Sequence, residues 1–305
     1  MSDATLFASP LSAPSLFVSP LFVSPLFAPL RRWLDRLPPS PDSAALNALA
    51  ERFPIHGEHG QRIRFVPPQA DGLVYECRIW ETGEVETRPD NWHDFFNALV
   101  WLTFTQTKIA VSASHVQAMT PAGEARGTIR DALTHFDECG IVVLSSQPDL
   151  LELLRGFEWK KLFVERRAEV KNAMRFVIFG HATYEQLLQP FRGLTAKAVL
   201  YDVSEYWLTL PLADQLAAVD ARLAADLASG RYQRPRDFQP LPLLGIPGVT
   251  PENEDPAYYD DTYQFRPGRS AGKAKGGCPR ADKVGTRQVF SIHSVFHAGY
   301  APRPS

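Results

Sequence analysis

The chain has 305 residues, 45% apolar and 22% charged, with a formal net charge of −2. That composition supports a real hydrophobic core and excludes a collagen-like, fibrous or largely disordered chain. The small net charge gives no global field for nucleic acid. Three cysteines set far apart, with no C-x-x-C, exclude a disulfide framework and the cysteine-rich zinc modules.

The chain opens on a repeat. Leu-Phe-Val-Ser-Pro stands at 16–20 and again at 21–25, followed by Leu26-Phe-Ala-Pro-Leu30. Prolines at 10, 14, 20, 25 and 29 interrupt every helical run, and Asp3 is the only charge before Arg31. Neither a signal peptide nor a spanning helix fits such a segment. Residues 1–34 read as a disordered low-complexity extension, with a membrane-surface anchor as the alternative.

Ser40 to Phe53 reads as a short helix with Asp42 and Ser43 near its start. The stretch His56-Gly-Glu-His59-Gly is loop-like, and 62–66 and 73–80 read as strands. A turn at Glu81–Glu84 lets Val85–Thr87 pair back as a hairpin. Asp90 or Asn91 caps a helix that runs to Phe104. Residues 132–136 and 141–144 read as a second hairpin around Asp137-Glu-Cys-Gly140. Helices are expected at 148–155 and 158–170, and Arg175–Phe179 suits strand or helix before a helix ending near Gln189. Thr195–Tyr201 is extended, and Leu212–Ala228 is an Ala/Leu-rich helix. Residues 235–269, rich in Pro and Tyr, read as a long loop that wraps a surface or covers a site. From Arg269 to Arg287 six basic residues face one acid, which marks 270–305 as a flexible basic tail, with weak nucleic-acid contact as a minor alternative. Gly268–Lys273 lacks the spacing of a phosphate loop, and His293 and His297 lack the Glu of a zinc protease.

One segment concentrates the chemistry. In the helix from Asn91 to Phe104, His93, Asn97, Val100 and Phe104 share a face, Asp94 lies beside it, and Trp92, Phe95 and Leu99 fill much of the rest. A helix apolar nearly all round is buried, so it carries His, Asp and Asn into or beside the core. There they form a structural network or a site for acid–base chemistry or metal ligation. His115, Arg130, Asp131, Asp137, Glu138 and His181 are further candidates, with Asp137 and Glu138 also explained as ordinary turn residues. No Gly-x-Ser-x-Gly or activated cysteine is present. A helical His-Asp pair is loosely similar to the metal-dependent phosphohydrolases of the His-Asp class, in which His56 or His59 would be the earlier ligand and Asp131 or Asp137 the later one.

Several stretches resemble a bacterial family of unknown function, numbered 3025 among such families. They are Asn91-Trp-His-Asp-Phe-Phe-Asn-Ala-Leu99, Arg130-Asp-Ala-Leu-Thr-His-Phe-Asp-Glu138, Phe179-Gly-His-Ala182, Pro190–Lys197, Pro240–Gly248 and Tyr258–Pro267. The resemblance covers roughly 50–269 and implies no catalytic assignment and no secretion. Its recurrent polar positions are Arg88, Asn91, His93, Asp94, Asn97, Arg130, Asp131, His181 and Arg266. The expectation is a single cytoplasmic α+β domain over 35–269, helix-rich with short antiparallel hairpins. As an enzyme it would be a hydrolase, with His93, Asp94, Asn97 and His181 as catalytic residues. Arg88, Arg130 and Arg266 would bind an anionic small molecule, and His93, Asp94 and His181 would hold a divalent metal ion. The alternative is a binding or scaffold protein with a buried polar network.

Overall fold

The computed structural model describes residues 24–38, 42–119 and 124–268. The basic tail with His293 and His297 lies outside the described residues. Among the described residues no helix is long and apolar enough to cross a membrane.

The fold begins earlier than the proline pattern suggests. Ser24 accepts a hydrogen bond from the Leu26 N–H, and Pro25 opens a single 3-10 turn that runs into α1, Ala28–Leu34. Pro25 and Pro29 stand in first-turn positions, where a missing N–H costs nothing and a fixed φ helps. Leu26, Phe27, Leu30, Trp33 and Leu34 are all buried, and the Trp33 indole donates to Thr103 Oγ1 at 2.8 Å. The folded body therefore includes residues 24–34, which correction moves the expected boundary at 35 toward the N-terminus. Residues 1–23 lie outside the described residues.

Helix α2, Ser43–Arg52, is capped by the Asp42 carboxylate on the Ala45 N–H. Strand β1, Arg64–Val66, and strand β2, Glu84–Glu86, pair in parallel around helix α3, Tyr75–Thr82. The expected strand at 73–80 is thus a helix. It stops at Gly83, whose φ of 75° is left-handed and whose added Cβ would meet the Arg62 carbonyl oxygen at 2.3 Å. Its buried Arg78 pairs with Asp71, Glu84 and Glu86, an arrangement that favours helix over the β-rich composition of Tyr75–Trp80.

Helices α4, Trp92–Thr103, and α5, Thr105–Ala118, follow; Asn91 caps α4 through the Asp94 N–H at 3.0 Å. Helix α5 has no cap of its own. Asp220, far along the chain, accepts from the N–H groups of Gln106 at 3.0 Å and Thr107 at 2.8 Å and from the Thr107 hydroxyl at 2.7 Å. Asp220→Ala would leave these donors unsatisfied in a buried place and is expected to cost about 2–3 kcal/mol. Asp220→Asn, which keeps one acceptor, should cost less; urea denaturation with unchanged m-values would check both.

Helix α6, Glu124–Cys139, replaces the second expected hairpin and runs directly into strand β3, Gly140–Ser145, buried throughout. Ala132, Leu133 and Phe136 are buried at helical spacing. Then come α7 (Pro148–Arg155), a π-helical turn (Lys161–Glu165), α8 (Arg167–Ala173) and β4 (Met174–Ile178). The chain continues through α9 (His181–Gln186), β5 (Thr195–Asp202), α10 (Glu205–Thr209), α11 (Leu212–Ala228) and β6 (Gln239–Pro242). Asp220 belongs to α11. The sheet order is β4-β3-β5-β6, with β3 antiparallel to β4 and parallel to β5, and β5 antiparallel to β6. The class is α+β, as expected, but these pairings are made through helical crossovers rather than tight hairpins. Residues 235–268 hold β6 and several short 3-10 turns, tied down where Asn253 donates to the carbonyls of Leu244 and Ile246.

Candidate metal centre

Three elements bring the polar residues together. The first turn of α4 presents His93 and Asp94, with Asn97 one turn on. The last turn of α6 presents Asp137 and Glu138, and α9 begins with His181. The β4–α9 connection fits against the α6–β3 junction because Gly180 has no side chain. A Cβ there would meet Gly140 N at 2.4 Å and the Glu138 carbonyl oxygen at 2.5 Å. The N–H groups of Phe179 and Gly180 both donate to the Gly140 carbonyl, at 3.0 and 2.8 Å. This close approach sets His181 beside Glu138.

The two imidazoles lie edge to face, with ring centroids 4.4 Å apart. Both turn Nε2 to one carboxylate oxygen. Glu138 Oε2 is 3.2 Å from His93 Nε2 and 3.5 Å from His181 Nε2. Each histidine has a second carboxylate on its other nitrogen. Asp94 Oδ1 is 3.2 Å from His93 Nδ1, and Asp137 Oδ2 is 3.8 Å from His181 Nδ1. Each of those carboxylates is held by a cation. Arg88 clasps Asp94 with Nε and Nη2, both at 2.8 Å, and Lys108 Nζ reaches Asp137 at 2.6 and 2.9 Å.

The electrostatics differ for the two rings. Burial pulls the His93 pKa down, but hydrogen bonds to Asp94 and Glu138 outweigh it and hold the ring up to about 9. Burial pulls His181 down to about 4, with Lys108 and His93 adding and Asp137 and Glu138 opposing. Burial would raise Asp94, Asp137 and Glu138, yet their basic partners keep each below the usual carboxylate range. Glu76 of α3 is pushed up to about 7 by burial and by the charge of Asp137. Of the buried atoms without a hydrogen-bond partner among the described residues, two belong to this cluster: Asn97 Oδ1, and His181 Nδ1, which lies 3.8 Å from Asp137. Asn97 donates its Nδ2 to the Tyr75 hydroxyl at 2.9 Å.

These groups line a cavity of about 430 Å³ between α3, α4, α5, α6 and α9. His93, Asp94, Asn97, Arg88, His115 and His181 all line it, as do Asp137 and Glu138. The expected anion receptor is not assembled. The Arg88 guanidinium is committed to Asp94. Arg130 is exposed on α6, outside the lining, although its charge reaches Glu76. Arg266 is exposed and donates to the Tyr263 carbonyl, while its own carbonyl accepts from Trp159. Asp131, His56 and His59 are exposed and line no part of the cavity. The third atom of the ligand cluster belongs to Glu138, whereas Asp94 backs His93 from behind. Asp137 and Glu138, candidates that a hairpin turn would also explain, lie on the last turn of a helix, and the spacing of Ile129, Ala132, Leu133 and Phe136 is the signal for it.

Residues 63–269 match the family model described as "Protein of unknown function (DUF3025)". The chain belongs to that family. No curated protein and no solved structure gives a significant match. The matched range spans α4, α6 and α9, so every residue of the cluster lies within it.

The cluster suits a divalent ion. His93, Glu138 and His181 each offer one ligand atom, all within 4.8 Å of one another. A tetrahedral ion with bonds of about 2.0–2.1 Å holds adjacent ligand atoms about 3.3 Å apart. The two nitrogen–oxygen separations, 3.2 and 3.5 Å, bracket that value. Carboxylates behind metal-binding histidines fix the tautomer and make the ligating nitrogen more basic, and Asp94 and Asp137 stand in those places.

Proposed function

We propose that this protein is a metal-dependent enzyme, a hydrolase whose ion is held by His93, Glu138 and His181. The observation that carries this reading is the convergence of two imidazole Nε2 atoms on one carboxylate oxygen, at the wall of an open cavity of about 430 Å³. Three protein ligands leave a coordination position for water or substrate, as in catalytic rather than structural zinc sites. An ion there supplies Lewis acidity and a water acidic enough to react near neutral pH. The protein's own residues do the rest. Asp94 and Asp137 orient the two rings, and Arg88 and Lys108 hold those carboxylates in place. A self-contained structural network satisfies its own members; the unpartnered buried carbonyl oxygen of Asn97, a residue of the cavity wall, instead favours a site that awaits a ligand.

We also place the protein in a reducing cytoplasm, a reading supported by the free thiols of Cys77 and Cys139. The test is titration of the purified, tag-free chain with Zn²⁺ and Mn²⁺, beside His181→Ala and Glu138→Gln. One ion per chain in the wild type, lost in variants that keep their circular dichroism, is the expected result. Equal metal uptake by the variants, or none by any of them, would overturn the proposal. A bound ion would justify screening esters, amides and phosphoesters as substrates.

A further inference from the structure

The cavity wall is strongly asymmetric in charge. Five carboxylates line it, Glu76, Glu86, Asp94, Asp137 and Glu138, against one guanidinium, Arg88. Four of the five are already engaged. Glu86 pairs with Arg78 at 3.0 Å, Asp94 with Arg88, Asp137 with Lys108, and Glu138 with His93. Glu76 has no cation in ion-pair contact among the described residues. Its neighbour Tyr75 holds Asn97 through the hydroxyl, and Asn97, only 6% exposed, is left with its carbonyl oxygen unpartnered.

The wall therefore offers spare acceptors and no spare cation. An anion entering it would meet five carboxylates, with the Arg88 and His93 cations already paired to two of them, whereas a donor group would complete acceptors that are costly to leave empty. We propose that the substrate carries a protonated amine or guanidinium, received by the Glu76 carboxylate and the Asn97 carbonyl oxygen while its reacting bond meets the metal. Within the proposed function this names the substrate class; only the metal end of the argument rests on that reading. Arg88 then serves as the anchor of Asp94, not as a substrate clamp.

The experiment is calorimetric titration of the full chain with agmatine and 1,4-diaminobutane, and with succinate as the anionic match. It is run on protein treated with a chelator and on protein loaded with one equivalent of Zn²⁺. Both cations are expected to bind in both states, at least tenfold more tightly than succinate binds the chelated protein. Glu76→Gln should weaken them at least fivefold. Raising NaCl from 50 to 500 mM should weaken them in the wild type, which keeps the test open should the variant misfold. Succinate binding the chelated protein as well as the amines do, binding of no probe at all, or amine binding unmoved by both Glu76→Gln and salt would each overturn the proposal. Zn²⁺ failing to bind while amines bind would remove the hydrolase reading and leave this one standing; the reverse pattern would remove this one alone.

Discussion

Zn²⁺ binding to this protein is expected to release about one proton per ion at pH 7 and to strengthen about tenfold for each pH unit up to about pH 9, where it levels off. The sign follows from the ligands. His93 is held up to about 9 by Asp94 and Glu138, so the metal-free ring is protonated at pH 7 and its proton must leave before Nε2 can ligate. His181, pulled down to about 4 by burial, is already neutral over this range and adds no slope. Glu138 is ionised, because hydrogen bonding from His93 overcomes the effect of burial. Among the three ligands, His93 alone brings a competing proton over this range. Calorimetry in buffers of differing ionisation enthalpy counts the protons, and a competition assay from pH 6 to 10 gives the slope. Asp94→Asn removes one of the groups that hold the proton on His93, so the bend should move below pH 9. It also loosens the ring, at a typical cost of 10–100-fold in affinity for such an outer partner. Affinity that does not vary with pH would show that His93 is not a ligand. Saturating metal at about 100 times its Kd should also stabilise the fold by about 2.7 kcal/mol, seen as a higher Tm.

The parts of this site that sequence exposes, and those it hides, divide along physical lines. Helix α4 is legible because it is apolar on nearly every side and opens on an Asn cap; burial of Asp94 and Asn97 follows from that pattern. Helix α11 and strand β5 also lie close to the expected positions, the first from its long alanine and leucine run, the second from its extended apolar stretch. Helices α3 and α6 are hidden for a different reason. Both contain short apolar runs beside turn-forming residues, and such runs suit helix or strand equally when read locally. In α6 the Gly after Cys139 imitates a hairpin turn, yet it begins a buried central strand. In α3 the β-favouring Tyr75, Ile79 and Trp80 are overruled by tertiary ion pairs to Arg78. The consequence is chemical. Reading α6 as a hairpin places Glu138 and Asp137 in a solvent-facing turn, and the ligand cluster disappears with them. The carboxylate assigned to the metal then becomes Asp94, the nearest one on the legible helix.

The Phe27→Ala change is expected to cost about 3–5 kcal/mol, the usual range for deleting a buried phenyl ring. The N-terminal repeat offers the same Leu-Phe pair at 16–17, 21–22 and 26–27. The pair at 26–27 is buried. Phe27 is 1% exposed, with its ring centroid 6.0 Å from Phe96 and 5.4 Å from Tyr184. Those two rings stack on each other at 5.6 Å, one on α4 and the other on α9. Phe27 is thus packed against the two helices that carry His93 and His181. Its loss should do more than lower stability. The cavity it leaves frees α4 and α9 to shift relative to each other, and a ligand pair placed a few tenths of an ångström off binds an ion less well. Metal affinity should fall along with the denaturation midpoint, although Phe27 lines no part of the metal cavity. Phe27→Leu, which keeps most of the volume, should recover the larger share of both losses. An alanine variant as stable as the wild type would show that residues 24–34 do not belong to the folded body. An unstable variant with unchanged metal affinity, measured well below its midpoint, would show that the α4–α9 geometry does not depend on this wedge.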